Sequence, residues 1–349
     1  LIYQTMGRQF SCIILLLSIV FSVFCQQDTL NRIDNKGQKQ GYWKKFNQNH
    51  LVYEGHFKNN IPIGEFKYYH QNGNLKSISV FINGPLKVKT TLFHDNGKKS
   101  AEGLFNNQIK DSIWNYYSEN GILIKTESYN NGKKHGTWKT YSAKTGILLE
   151  EINYDQNLMS GIFKEFYVNG DIQTVIHYIN GKRNGITESY FADSILSISG
   201  IYHNDFKIGT WKYFDYNGIL RKEITFNRSE PQEIFLVLYN GSSAQPVNQK
   251  LIAYFQKMGN NSKVVMRNGK IYMTTDELST LRDFLDFVDF SPVTPNIIAS
   301  NEAIKGYQVI DENRISVFLE PVPEFEIFSE GAEAQAIKML FDRSPIKEE

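Results

Sequence analysis

No cysteine follows Cys25, and no histidine follows His203. The first absence excludes disulfides, thiolate metal sites and a cysteine nucleophile from residues 26–349. The second leaves residues 230–349 without the base of a Ser-His-Asp triad and without imidazole ligands for a metal. Net charge is only +1 and no dense Lys/Arg cluster exists. A nucleic-acid footprint, which works by displacing counterions from phosphates, is therefore not expected. The longest apolar run, Cys12–Phe24, is short for a membrane-spanning helix. "YNGSSAQP" (Tyr239–Pro246) lacks the glycines and lysine of a phosphate loop and reads as a connection between elements.

What is abundant is aromatic. Tyr (20) and Phe (24) favour strands over helices, and 41% hydrophobic residues suffice for a folded chain. Charge is split along the chain: residues 26–229 carry 26 Lys and Arg against 19 Asp and Glu, a net +7. Residues 230–349 carry 11 against 18, a net −7. That shift marks a boundary near residue 230.

Residues 1–25 read as an export signal: Arg8, then the apolar run, then polar "CQQDT". Cleavage after Cys25, lipid modification of Cys25 and a retained anchor are the three outcomes this pattern allows. Membrane association is expected only through an uncleaved signal or lipidated Cys25. The expected location is periplasmic, envelope-associated or secreted. Residues 26–35 form a short linker.

From residue 36 to 229 the sequence repeats. One aromatic recurs at Phe46, Tyr69, Phe93, Tyr117, Tyr141, Phe166, Tyr190 and Phe214, in steps of 23 to 25 residues. Three residues before it stands Trp43, Phe66, Trp114, Trp138, Phe163 or Trp211, with Thr90 and Thr187 as exceptions. Two residues earlier again stands a glycine, except at Val88 and Ser112. A second aromatic recurs at Phe57, Phe81, Phe105, Tyr129, Tyr154, Tyr178, Tyr202 and Phe226. Asn-Gly pairs at Asn72-Gly73, Asn96-Gly97, Asn120-Gly121, Asn169-Gly170 and Asn217-Gly218 predict a type I′ hairpin turn inside each unit. Leu51 and its equivalents lie six residues before the second aromatic, an even offset that predicts one shared face. The glycine before the tryptophan position predicts a conformation a Cβ would oppose. The fold expected is mainly β: an elongated antiparallel sheet of about eight tandem hairpins, followed by a small α+β domain. Sixteen strands at roughly 4.8 Å make an array about 75 Å long.

"YNNGKKHGTWKTYSAKTGILLEEINY" (Tyr129–Tyr154) resembles the MORN repeat in its bacterial variant form. The resemblance covers roughly Lys36–Phe226. That family includes proteins regarded as antitoxin components of toxin–antitoxin modules, so the resemblance implies a binding role and, as one alternative, neutralisation of a partner toxin.

Residues 230–349 lose the period. "EIFLVLY" (Glu233–Tyr239) predicts a buried strand. "PVNQKLIAYFQKMG" predicts a helix from Pro246 to Gly259, with Val247, Leu251, Phe255 and Met258 on one face. "KVVMRNGKIYM" predicts a hairpin at Asn268-Gly269. Thr274 and Glu277 read as the capping box of a second helix, with Leu278, Leu281, Leu285 and Val288 inward. "YQVI" and "RISVFLE" read as strands and "GAEAQAIKMLF" as a last helix.

The candidate partner-binding residues are Trp43, Trp114, Trp138, Trp211, Tyr117 and Tyr141, with Lys133, Lys134, Lys182 and Arg183 at the turns. Tryptophan and tyrosine offer large contact area at low entropy cost. The same ladder can equally serve packing, and the turn cations can equally protect strand ends. His70 and His94 sit in equivalent places roughly 10 Å apart, too far to share a metal. Asp283, Asp286 and Asp289 read as a solvated face. No catalytic residue, metal or cofactor is expected. The function expected is a non-enzymatic exported scaffold for a protein partner. The alternatives are an antitoxin or immunity component, and an enzyme seated in residues 230–349.

Overall fold

A computed structural model describes residues 30–286 and 288–342; the expected signal segment, 1–25, lies outside them. The repeats form one antiparallel meander. Lys39–Asn47 and His50–Lys58 make the first hairpin, and Phe206–Phe214 and Leu220–Asn227 the eighth. Every strand pairs with its neighbours in sequence, as Gly41↔Phe57 and Phe57↔Pro62 do in the first two units. This follows from composition: β-branched and aromatic residues alternate with polar ones between tight turns, and contacts are nearest-neighbour throughout.

Each of the eight repeats contains a β-bulge at one place. In the first, Lys45 pairs with Tyr53, but Phe46 pairs with Leu51. The same slip precedes Tyr69, Phe93, Tyr117, Tyr141, Phe166, Tyr190 and Phe214. One extra residue in the second strand reverses its parity there. Leu51 and its equivalents therefore pair with the first recurring aromatic, on the face opposite the second. The even-offset expectation fails because it counts through a bulge.

The turns are also redistributed. Turns with both central residues at positive φ, the type I′ pattern, lie between units at Asn59-Asn60 (52° and 66°), Asn131-Gly132 (48° and 79°) and Asn180-Gly181 (50° and 81°), and inside the first unit at Gln48-Asn49 (46° and 65°). Inside the unit, Gly73 alone has positive φ (86°) at Asn72-Gly73; its N–H donates to His70 O at 3.0 Å, and His70 N–H to Asn74 O at 2.9 Å. That is a three-residue loop with glycine in the left-handed position, not a I′ turn.

The glycine before the tryptophan position behaves as expected. Gly41, Gly64, Gly136, Gly161, Gly185 and Gly209 all have positive φ, and Ser112 is forced into the same region (57°).

The sheet does not end with the eighth repeat. Glu230–Asn240 pairs with Leu220–Asn227 on one side and with Ser243–Asn248 on the other. A five-stranded sheet follows, in the order Ile271–Thr274, Asn261–Met266, Ile252–Met258, Ile297–Ser300, Phe290–Thr294. A three-stranded sheet pairs Ile304–Val309, Arg314–Leu319 and Ile327–Glu330. The helix Gly331–Asp342 buries Ala334 and Ile337 in the core formed with Ile315, Val317 and Ile327. A second core joins Leu236, Leu238 and Val247 of the extended sheet to Phe255, Val264, Leu278, Leu281 and Leu285.

Of two helices expected here, one is not formed and the other is shorter than expected. Residues 246–259 are strand, a single 3-10 turn (Gln249–Leu251) and strand. Ile252, Ala253, Tyr254 and Phe255 are consecutive and all buried, the mark of a central strand covered on both faces. The apparent helical stripe included Leu251 and Met258, which are exposed. Thr274 ends a strand, and its hydroxyl donates to Tyr239 O at 2.7 Å. The helix that follows is only Leu278–Arg282, begins after Glu277 without a side-chain cap, and leaves Val288 exposed. The hairpin at Asn268-Gly269, the two later strands and the last helix form as expected.

Backbone conformation alone predicts a pair of outcomes. Ser112→Gly should raise stability by about 0.5–1 kcal/mol in urea unfolding, because it relieves left-handed strain. Gly209→Ser, where a Cβ meets nothing within 4 Å, should lower it by about 1 kcal/mol. Equal effects of the same sign would contradict this reading.

Candidate functional site

The tryptophan position builds a ladder inside the sheet. Trp114 and Trp211 are buried at 1% and 3% exposure, Trp138 at 8%, and Phe66 at 2%; Trp43, in the first unit, is half-buried. What buries Trp114, Trp211 and Phe66 is a second glycine, eleven residues upstream on the neighbouring strand. A Cβ on Gly103 would lie 2.2 Å from the Trp114 ring, on Gly200 2.2 Å from Trp211, and on Gly55 2.4 Å from Phe66. Each ring thus lies on bare backbone. Where the ladder holds threonine, the facing position grows a side chain: Ser79 pairs with Thr90, and Ile176 with Thr187. Each indole N–H donates to a backbone carbonyl, Trp114 to Leu104 at 3.0 Å and Trp138 to Ser128 at 2.8 Å.

A cation covers the ladder from above. Four residues before the tryptophan, Lys39, Lys110, Lys134 and Lys207 place their ammonium groups 4.7, 5.0, 4.4 and 4.3 Å from the ring centres of Trp43, Trp114, Trp138 and Trp211. Each also reaches the second aromatic, as Lys134 reaches Tyr154 at 4.7 Å and Lys207 reaches Phe226 at 5.0 Å. Arg183 stacks on Tyr202 at 4.1 Å. Such contacts are worth about 0.5–2 kcal/mol, more as water is excluded.

The candidate residues therefore separate. Trp114, Trp138 and Trp211 are interior, and Lys134 and Arg183 are committed to stacking. Lys133 and Lys182 are exposed at the turns. Tyr117 and Tyr141 lie at the bulge, half-buried on the face opposite the tryptophans. Tyr117 donates its hydroxyl to Glu102 at 2.8 Å, and burial together with that carboxylate pushes its pKa up to about 12. That opposite face carries cross-strand Lys–Glu pairs, Lys44–Glu54, Lys139–Glu151 and Lys212–Glu223. Ile113, Ile162, Ile186 and Ile201 are exposed beside them.

Glu127 occupies a glycine position, facing Trp114. Tyr116 and Tyr129 donate hydroxyls to it at 2.6 and 2.8 Å, and Lys125 pairs with it at 2.8 Å. Burial favours its neutral form, but these partners outweigh that and hold its pKa at about 2.

At the junction with the later sheets, Arg221 is clamped between Asp215 (2.8 Å) and Asp276, all three side chains nearly buried. Asp276 also accepts from Tyr239 N–H at 2.9 Å, and its Oδ2 lies 2.6 Å from Thr274 Oγ1. Beside this clamp, Phe191, Ile198, Tyr213, Tyr216 and Phe284 line a groove of about 450 Å³.

His94 Nε2 lies 2.8 Å from Tyr117 O, and His70 pairs with Asp95 at 3.5 Å. Both are turn residues tied to the next unit. Among the described residues no group of three or more His, Cys, Asp or Glu could hold a metal. No helix among them is long and apolar enough to cross a membrane. Asp283 and Asp289 are exposed, and Asp286 accepts from Val288 N–H at 2.9 Å. Sequence reasoning missed the second glycine and the covering lysine, although both recur at fixed offsets, eleven and four residues before the aromatic.

The MORN repeat variant family model matches residues 62–83 and 207–228, the second and eighth units. No curated protein matches the chain by sequence. Among solved structures, the LytTr DNA-binding domain of a Bacillus cereus methyl-accepting/DNA response regulator is similar at 12% identity and a TM-score of 0.27, over 31% of this chain and 95% of that one. A hairpin sheet of MORN-type repeats suits a protein-interaction scaffold.

The Glu127 network sets a pH dependence. Its folded pKa of about 2 lies below the ordinary 4.5, so its contribution is complete above pH 4.5 and is lost as pH falls towards 2. Urea midpoints measured from pH 5 to 2 should fall more steeply for the native chain than for Glu127→Gln. Parallel curves would contradict the assignment.

Proposed function

We propose that this chain is a non-enzymatic, exported scaffold that binds a protein partner along the outer face of its repeat sheet. The observation that carries this reading is the division of labour between the two faces. One is filled by buried rings and their covering lysines; the other carries exposed isoleucines in the fourth, sixth and seventh units and Lys–Glu pairs in the first, fifth and eighth. Exposed aliphatic side chains and ion pairs spread along one face give a long partner several separate, weak contacts, which add through multivalency. Export rests on Arg8 and the apolar run Cys12–Phe24. Neutralisation of a toxin remains the other role the repeat type suggests, and it differs in the partner rather than in the surface.

A photo-crosslinking residue at Ile113 or Ile186, introduced into the native protein in cells, should give one discrete heavier adduct. The same probe at buried Ile315 should give none. Fractionation of the same cells should place the chain outside the cytoplasm, beginning at Gln26 or carrying lipid at Cys25. Absence of any adduct from the outer face would overturn the scaffold reading, and an uncleaved cytoplasmic chain would overturn export. An adduct with a toxin would move the role to neutralisation.

A further inference from the structure

Near its end the array covers rings with its own cations and then stops. Lys207 lies over Trp211 and Phe226, and Arg183 over Tyr202. In the groove of about 450 Å³ beside the Arg221 clamp, five rings meet: Phe191, Tyr213, Phe214, Tyr216 and Phe284. Among the described residues no lysine or arginine lies over any of them. The fold brings these rings from three places. Phe191 and Tyr216 stand in the loops inside the seventh and eighth units, with ring centres 4.0 Å apart. Tyr213 and Phe214 end the strand Phe206–Phe214. Phe284 follows the helix Leu278–Arg282 and packs on the core behind it. Tyr216 is 73% exposed, so the groove opens to solvent on its side.

The charge around the groove has one sign. Its lining includes two carboxylates, Asp215 and Asp283, and no lysine or arginine. The neighbouring cations are outnumbered or turned elsewhere. Arg221 is shared between Asp215 and Asp276. Lys222, which pairs with Tyr213 in register, lies in the field of Asp286 and Asp289. Arg282 lines a different cavity, together with Glu277 and Glu333. A cleft with low-dielectric walls and excess charge of one sign concentrates ions of the other. Ring faces are themselves negative and attract cations.

We infer that this groove binds an organic cation carrying a trimethylammonium group, its methyls against the rings and its charge balanced by Asp283. The kind of cation follows from the polar atoms on hand. Asp215 already accepts from the N–H groups of Asn217 and Ile219 and from Arg221. That leaves the exposed carboxylate of Asp283 and the hydroxyls of Ser197 and Thr280. A primary ammonium is strongly hydrated and has three donors to satisfy, which so apolar a wall serves badly. A trimethylammonium group donates no hydrogen bond, sheds its water at lower cost and presents a positively charged apolar surface to the rings. In the array a tethered lysine fills this role over Trp211; in the groove no residue of the chain does. The inference does not rest on the scaffold reading, because Tyr213 lies on the tryptophan face of the sheet and not on the outer one.

Titration calorimetry and saturation-transfer NMR on the full chain test it, with choline as the probe. The control is dimethylbutanol, the uncharged isostere in which carbon replaces nitrogen. Choline should bind at one site, and the isostere about tenfold more weakly. Tyr216→Ala should weaken choline by about tenfold, and Tyr216→Phe should keep native affinity. Asp283→Asn should weaken choline by about threefold and leave the isostere unchanged. Both positions are exposed, so circular dichroism should stay native for each variant. Vesicles of phosphatidylcholine distinguish the source of the group. Pelleting of the chain with them, reversed by free choline, assigns it to a lipid headgroup; choline binding without pelleting assigns it to a free solute. No binding of millimolar choline by either method would overturn the inference. So would an isostere that binds as tightly as choline, or a Tyr216→Ala chain that binds choline like the native one.

Discussion

An aromatic ring lying on a glycine is the contact on which the repeat array depends. A single-layer sheet has no second layer to bury its side chains, so burial must come from within the sheet. Gly103 provides it by leaving the backbone bare under Trp114, and Gly55 and Gly200 do the same under Phe66 and Trp211. The ring removes apolar surface from water, worth about 1.5–3 kcal/mol for a large side chain, and it shields the strand hydrogen bonds beneath. Stability accumulates pair by pair, which is the behaviour of a one-dimensional array. The fifth and sixth units lack this fit. Glu127 and Ile152 stand where glycine would be, and the rings there are less covered, Trp138 at 8% and Phe163 half-buried.

The covering lysines follow from the same need. A ring on a glycine still has one face toward water, and Lys110 or Lys207 lies across it with stem on ring and charge outward. The buried face thereby becomes cation-covered, and apolar recognition is left to the outer face and the margins. Beyond the eighth repeat the logic changes. Leu236, Leu238 and Val247 turn the last strands of the long sheet into one wall of an ordinary core, and the Arg221 clamp locks that wall to the preceding repeat.

The repeat period, the number of strands and the positive-φ glycines were legible in the sequence because they are local and recur eight times. The bulge was not, since it adds one residue to a strand without any change of composition; it moved Leu51 and its equivalents to the other face. The tryptophans were legible as a ladder, but their burial was not, because it depends on Gly103 and Gly200 across a strand pair whose register the sequence does not state. In the later region "LIAYF" satisfied helical and strand readings alike. Burial on both faces, a property of neighbours distant in sequence, decided for the strand.

The central contact is tested most directly by Gly103→Ala, followed by native-state hydrogen exchange along the array. The added methyl has no space under Trp114, and overpacking of this kind costs about 1–3 kcal/mol. Protection should fall most in Lys99–Asn106 and Ile109–Tyr117 and recover with distance, leaving Phe206–Phe214 close to native. Unchanged protection in Lys99–Asn106 and Ile109–Tyr117, or a loss spread evenly over all eight repeats, would contradict a sheet held together ring by glycine.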